Sequence, residues 1–492
     1  MNLADARLKQ LDNPSLTESK RSLLRCSVAA DFIHKGQYEA ARETLGELWP
    51  GIGQRPEVSE LLPAVAAEVL LQCGTLTGWL GSVRTVAGSQ EQAKDLLSEA
   101  FHKLQSQGRY EKASEAQYEL GICYWRLGAH DEARVVLLEA LKPLRDTDAE
   151  LKAKIQIRRA LVETWENRYY EALSILTEAE PIFVSANDAL KGRWHGQIGL
   201  VLIRLASVVG NVDYADRAII EFTAAIYHYE QAGHARYSAV NLNNLGMLLY
   251  KLGRYREAHE HLDRAQIIFT KLKDAGNLAQ VDETRARVLV AEKKYREADR
   301  ILKNVINIFE QGSESAALAD ALTVQGVAWA RLGTFESSIS ILHRAADVAE
   351  GVGALTSGGL ALLTLIEEHG GSRLSPLEIS KAYLRADGLL KETQDVEDIA
   401  RLRACGRTAL RRFSGSRLHD ENFSFYGAVQ EFEATIIEQA LEETGGSVTR
   451  AAKLLGLKHQ TLITMLNARH KNLLEKRTPP EKKLRSIINK DS

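Results

Sequence analysis

Residues 244–258 read Asn-Leu-Gly-Met-Leu-Leu-Tyr-Lys-Leu-Gly-Arg-Tyr-Arg-Glu-Ala, and their reading decides the fold. Gly253 stands where a helix ends in a left-handed cap, and the aromatic Tyr255 starts the next helix. The same arrangement returns twice more downstream, each time at the same spacing and without gaps. Tyr255, Tyr295 and Phe335 correspond, each followed by a small residue (Ala258, Ala298, Ser338), then by Leu262, Leu302 and Leu342, then by Ala265, Val305 and Ala345. Upstream lie Gly246, Ala286 and Gly326, with Leu249, Leu289 and Trp329 behind them. Two antiparallel helices cannot bury their apolar faces alone, so a repeated pair of this kind stacks on its neighbours. Small residues mark where helix axes approach, and the large ones fill the gaps between.

Working outward, the same template fits Ala41, Leu45 and Leu48 after Gly36 and Tyr38, and Ala93, Leu97 and Ala100 after Gly81. It fits Gly121, Gly128, Ala133, Leu137 and Ala140, then Ala172, Leu176 and Ala179, then Ala218, Phe222 and Ala225. Ala41, Ala93, Ala133, Ala172, Ala218, Ala258, Ala298 and Ser338 are thus equivalent positions, recurring about every 40 residues. Only the first and fourth intervals are clearly longer, which predicts about eight helical hairpins with insertions in those two connecting loops. The small-large-small spacing resembles the tetratricopeptide repeat (TPR). That resemblance implies an all-α, TPR-like α-solenoid with a second helix lengthened relative to the usual period of about 34 residues. Long-period repeats of this kind are familiar in bacterial regulators.

Composition agrees with helix nearly throughout: nine prolines occur in 492 residues, and Ala, Leu, Glu and Arg dominate. Hydrophobic residues make up 45% and charged residues 26%, which excludes a disordered chain. The longest uncharged runs, 69–83 and 351–366, are shorter than the ~20 apolar residues of a membrane span. Residues 1–7 lack the apolar core of a signal peptide, so no membrane association and a cytoplasmic location are expected. Cys26, Cys73, Cys123 and Cys405 are scattered, with no close pair to hold zinc or found a disulfide framework.

Enzyme chemistry finds no foothold. The chain has no phosphate loop, no dinucleotide glycine fingerprint, no nucleophile elbow and no His-Glu-x-x-His, so no catalytic residue, cofactor or metal is expected. His259 and His261 point roughly 200° apart on a helix and read as solvated residues rather than ligands. Two stretches within the array admit more than one reading. Asn241, Asn243 and Asn244, with Lys251 and Arg254, lie on a first helix, which by the TPR resemblance lines the concave groove. There they would hydrogen-bond an extended peptide or protein ligand and hold its carboxylate; alternatively Asn-Asn-Leu-Gly is common repeat sequence with one asparagine packed inside. The Gly-rich stretch 73–81 lines a pocket in one reading and serves close helix packing in the other.

After about residue 370 the rhythm stops. Ser375, Pro376 and Glu378 form a capping box, a second helix spans about 395–413 with five arginines, and residues 414–422 form a polar linker. Residues 426–474 read as three helices, the first with Val429, Phe432, Ile436, Ile437, Ala440 and Leu441 on one face. Gly445 and Gly446 stop it, Ser447 caps the second, Ala451 and Ala452 permit a close crossing, and Gly456 turns the chain into a third helix opened by Lys458. This is a helix-turn-helix arrangement. Residues 447–466 resemble the Fis-type helix-turn-helix that closes many bacterial activators. The resemblance implies that Ser447, Thr449 and Arg450 contact phosphate while Lys458, His459, Gln460 and Thr461 face the major groove. Ile463 and Thr464 stand where that family carries basic residues. Arg469, His470, Lys471, Lys476 and Arg477 would compensate downstream, with the basic tail 478–485 either tracking phosphate or lying free in solvent.

The expected organisation is a TPR-like domain over 1–370, a helical connector and linker over 371–424, a Fis-type DNA-binding domain over 425–475 and a basic tail over 476–492. The expected function is a sequence-specific, double-stranded-DNA-binding transcriptional regulator, acting as a homodimer, whose repeats sense a peptide, protein or small molecule. The competing reading is an interaction scaffold whose C-terminal helices dock a protein. The overall charge of −2 conceals a polarity, because residues 458–492 carry +6 and the remainder −8. No ATPase motif accompanies the reader, so an ATP-driven mechanism is not implied.

Overall fold

The computed structural model describes residues 11, 15–34, 36–84, 86–312, 315–413 and 425–476. Among the described residues all regular structure is helical and no strand occurs; no helix there is long and apolar enough to cross a membrane. The chain divides into two compact units, one ending at Val288 and the other beginning at Leu289. The first unit runs through α1 (Glu18–His34), α2 (Tyr38–Leu45), α3 (Pro63–Val83), α4 (Ser89–Ser106), α5 (Tyr110–Arg126), α6 (His130–Leu141), α7 (Ala149–Trp165), α8 (Tyr169–Glu178), the short α9 (Glu180–Val184), α10 (Asp188–Val209), α11 (Val212–Gln231), α12 (Ala235–Lys251), α13 (Tyr255–Leu272) and most of α14 (Ala275–Ala291). The second holds α15 (Tyr295–Gln311), α16 (Ser315–Leu332), α17 (Phe335–Gly351), α18 (Leu355–His369), α19 (Pro376–Leu389), α20 (Val396–Phe413), α21 (Phe425–Glu443), α22 (Val448–Leu454) and α23 (His459–Ala468).

The hairpin turn follows the expected chemistry. Gly253 adopts φ +73°, a left-handed conformation that costs an L side chain energy. Arg254 N–H then donates to the Leu249 carbonyl at 2.9 Å, satisfying the frayed end of α12 before α13 begins.

A seam of small against large residues joins the helices of each hairpin. A Cβ built on Gly121 would lie 2.7 Å from the Leu137 side chain, and one on Gly246 would lie 2.8 Å from Leu262. In the second unit Gly326 meets Leu342 in the same way, at 2.5 Å. These leucines are fully buried, and each such side chain stabilises the fold by about 2 kcal/mol. Ser338 takes the alanine position of its repeat. Its buried hydroxyl donates to the Gly326 carbonyl at 2.7 Å and lies 2.8 Å from Nε2 of the buried His369.

The two irregular spacings have different origins: in the first, a long connection over 46–62 holds only the short turn Gly46–Leu48, as expected, whereas in the fourth the extra length is mostly helix. Gly74 faces Leu97 and Gly199 faces Phe222, each pair being separated by more sequence than Gly246 and Leu262. The difference, about seven residues, is shared between the two helices of the hairpin and their turn, so the glycine still faces the second helix. In the fourth interval the added sequence is largely helix, α10 being 22 residues long, and α3 is lengthened to 21. Gly81, which aligns with the template, instead sits against Ser89. Residues 73–81 lie within α3, where Gly74 and Gly78 meet Leu97 and Ala93; these contacts are close helix packing.

Ser375 N–H donates to Glu378 Oε2 at 2.7 Å and Ser375 Oγ accepts from Glu378 N–H at 3.3 Å, the expected capping box. Ile437, Ala440, Leu441, Ala451, Ala452, Leu462, Leu466 and Leu473 make a separate small core. Two expectations change. Phe432, placed on the inner face by periodicity, is 55% exposed, because the core of α21 begins a turn later. His259 and His261 are half-buried rather than solvated, and burial holds the His261 pKa below its ordinary value. Among the described residues no three His, Cys, Asp or Glu side chains are placed to hold a metal.

The seam makes a testable demand. Gly246→Val should lower unfolding stability by about 2–3 kcal/mol in urea denaturation, since Leu262 has nowhere to move. Gly351→Ala, on a helix end with open space around it, should be neutral or slightly stabilising.

Candidate nucleic-acid interface

The three short helices of the C-terminal core are set by two glycine stops and two small residues. Gly445 and Gly446 both take left-handed conformations after α21, and Gly446 N–H returns to the Leu441 carbonyl at 2.7 Å. Ala451 and Ala452 are buried, so α22 can cross its neighbours closely. Gly456, at φ +67°, turns the chain, and Leu457 N–H closes the turn onto the Ala452 carbonyl at 2.9 Å. Lys458 is extended and occupies the N-cap of α23 without a side-chain cap bond.

That geometry puts Lys458, His459, Gln460 and Thr461 in one exposed run at the start of α23. Leu462 and Leu466 anchor the opposite face. The uncapped helix N-terminus aims N–H groups and the positive end of the helix dipole outward, as an anionic phosphate backbone requires. One and two turns from Gln460, Thr464 and Asn467 are also exposed. Their spacing opposite Leu462 and Leu466 places them on the same outer side of α23.

The residues expected to grip phosphate are placed less uniformly. Thr449 and Arg450 are exposed on α22, and Arg450 also donates to the Thr444 carbonyl at 2.9 Å, bracing the glycine turn. Ser447 holds the N-cap by backbone conformation, with no side-chain cap bond. Arg469 lies 3.4 Å from Glu433, and the buried His470 reaches the same carboxylate at 3.2 Å. Lys476 pairs with Glu438 and with Glu442, the latter at 2.8 Å, and these bonds hold its pKa above the usual lysine value. Lys381 meets Glu442 at 3.0 Å. Lys471 is exposed. Arg477 and the basic stretch 478–485 lie outside the described residues.

The groove candidates of α12 do not converge. Asn241 is 7% exposed and donates to the Tyr237 carbonyl at 2.8 Å, its amide packed where Gly196 leaves room. Asn244 is half-buried, whereas Lys251 and Arg254 are exposed, with Arg254 paired to Glu257 at 2.6 Å. Nearly three helical turns, about 15 Å, separate Asn241 from Lys251.

Residues 428–464 match the family described as bacterial regulatory protein, Fis family. Residues 88–149 and 239–271 each match the tetratricopeptide repeat. No curated protein sequence matches the chain. Among solved structures, RapI is 14% identical, covers 78% of this chain and 98% of its own, and superposes with a TM-score of 0.50. The quorum sensor NprR from B. thuringiensis is 16% identical, with 70% and 92% coverage and a TM-score of 0.50. A signal transduction ATPase with a tetratricopeptide repeat sensor, from Pyrococcus horikoshii, is 13% identical, with 80% and 64% coverage and a TM-score of 0.50. These likenesses concern the fold. The chain thus carries segments similar to tetratricopeptide repeats, followed by a helix-turn-helix segment similar to the Fis family of bacterial regulatory proteins.

Proposed function

We propose that this chain is a sequence-specific transcriptional regulator whose repeats receive a signal and whose C-terminal domain reads double-stranded DNA. The observation that carries the reading is the exposed run from Lys458 to Thr461 on an uncapped helix start, within the segment matching the Fis family. Lysine there donates to guanine acceptors, and threonine meets a thymine methyl. NprR, with a similar repeat fold, is a quorum sensor; a peptide, protein or small-molecule signal is our reading for this chain. We divide it functionally into repeats over 1–370, a connector over 371–424, the reader over 425–475 and a basic tail over 476–492. One short helix reads few base pairs, so tight binding calls for a homodimer on a two-fold site. A cytoplasmic location and a purely regulatory, non-enzymatic role belong to the same proposal.

Gel shift of the full chain on its promoter DNA tests it. Lys458→Ala with His459→Ala should weaken specific binding about 10- to 100-fold and reduce the log–log salt slope by about one. Unchanged binding in that variant would overturn the assignment. If deleting 425–492 leaves DNA retention intact and abolishes protein capture, the scaffold reading replaces it. Glu433→Gln should release Arg469 for phosphate and steepen the salt slope by about one, measured in the same assay.

A further inference from the structure

In the first unit, four helices bring together a group of side chains for which DNA reading has no use. Arg126 on α5 lies 4.2 Å over the Trp79 ring of α3 and donates to the Gly78 carbonyl at 2.8 Å. Arg158 on α7 is 5% exposed and lies 5.3 Å from the Trp125 ring centroid. The charges of Arg158 and of Arg193, the latter on α10, both act on the buried Tyr118. Gln197, one turn along α10 from Arg193, is 8% exposed.

The charges in this cluster do not balance. Glu119 is the carboxylate facing the guanidiniums; it accepts from Trp79 Nε1 at 3.2 Å, and burial pushes its pKa up to about 7 against the pull of Arg158. Glu115, nearby, is already paired with Lys112 at 2.8 Å. Burial resists ionisation of Tyr118, yet Arg193 and Arg158 outweigh it and draw its pKa below the ordinary value. The hydrogen bonds are incomplete as well: Arg158 Nε and Gln197 Nε2 are buried donors with no partner. A buried guanidinium without a counter-charge is costly, and buried donors are ordinarily satisfied.

We propose that Arg158, Arg193 and Gln197, with Arg126 beside them, form a receptor for an oxyanion carried by a small ligand. Guanidinium forks match carboxylate and phosphate geometry, and the Trp79 and Trp125 rings stack the arginines in place. The receptor is the point at which the repeats take their signal, a clause that rests on the regulatory reading; the anion binding itself does not depend on DNA.

The test uses the full chain without DNA. Its melting midpoint is followed with sodium phosphate, sodium acetate, a pool of free-acid pentapeptides and the same pool amidated at the C-terminus, each against sodium chloride at equal ionic strength. We expect phosphate or a carboxylate probe to raise the midpoint by about 1–3 °C over chloride. Arg193→Gln should lose most of that shift, while Arg256→Gln, an exposed cation on α13, keeps it. A response to phosphate alone assigns a phosphorylated ligand; a response to acetate and free-acid but not amidated peptides assigns a carboxylate. Saturable change in tryptophan emission of the unaltered chain reads the same event should Arg193→Gln prove unstable. No excess over chloride by either readout, or an undiminished shift in a folded Arg193→Gln, overturns the receptor. Loss of DNA binding with anion binding intact would instead count against the regulatory reading.

Discussion

The repeat architecture depends on one steric constraint: a small residue of a first helix, most often glycine, must accept the large side chain of the second. Gly121 with Leu137, Gly246 with Leu262 and Gly326 with Leu342 leave no space for a Cβ between them. Close approach excludes water from the seam and lets the adjoining leucines and alanines bury completely. The longer hairpins obey the same rule, since Gly74 and Gly199 still face Leu97 and Phe222. Added length shared between both helices of a hairpin keeps the small residue in the seam.

At the C-terminal end, charge rather than volume sorts the residues. Glu433, Glu438 and Glu442 on α21 draw Arg469, His470 and Lys476 onto the first helix of the domain. These contacts tie the segment after α23 to α21 around the buried Leu473. Among the described residues, Lys458 at the start of α23, Lys471 after it and Arg450 and Lys453 on α22 remain exposed. Exposed ion pairs of this type contribute modestly to stability, and their larger consequence is orientation.

Much of this organisation was legible beforehand. Gly253 and Tyr255 announced the turn, and the capping box at Ser375 and Glu378 was visible as a local pattern, because both depend on backbone conformations of a few adjacent residues. The exposed run from Lys458 to Thr461 was readable for the same reason, following a glycine turn and preceding two leucines. Phe432 misled because periodicity specifies a face without specifying where the core begins along it. Asn241 and Lys251 share a helix, but only packing shows one buried against Gly196 and the other in solvent. Arg469 and Lys476 looked free because their acidic partners lie far back in the chain, on α21.

The sequence by itself determined the helices, their turns, the pairing rule within hairpins and the helix-turn-helix at the C-terminal end, since each is encoded in residues no more than about one hairpin apart. Only the tertiary structure decided which charges remain uncompensated. Tyr118, Arg158 and Arg193 come from three separate helices, α5, α7 and α10, and Trp79 from a fourth, α3. No local pattern links them. Their meeting follows from the stacking of successive hairpins, which carries one face of each first helix past the next, and the unpartnered donors of Arg158 and Gln197 exist only because that stacking removes water from around them.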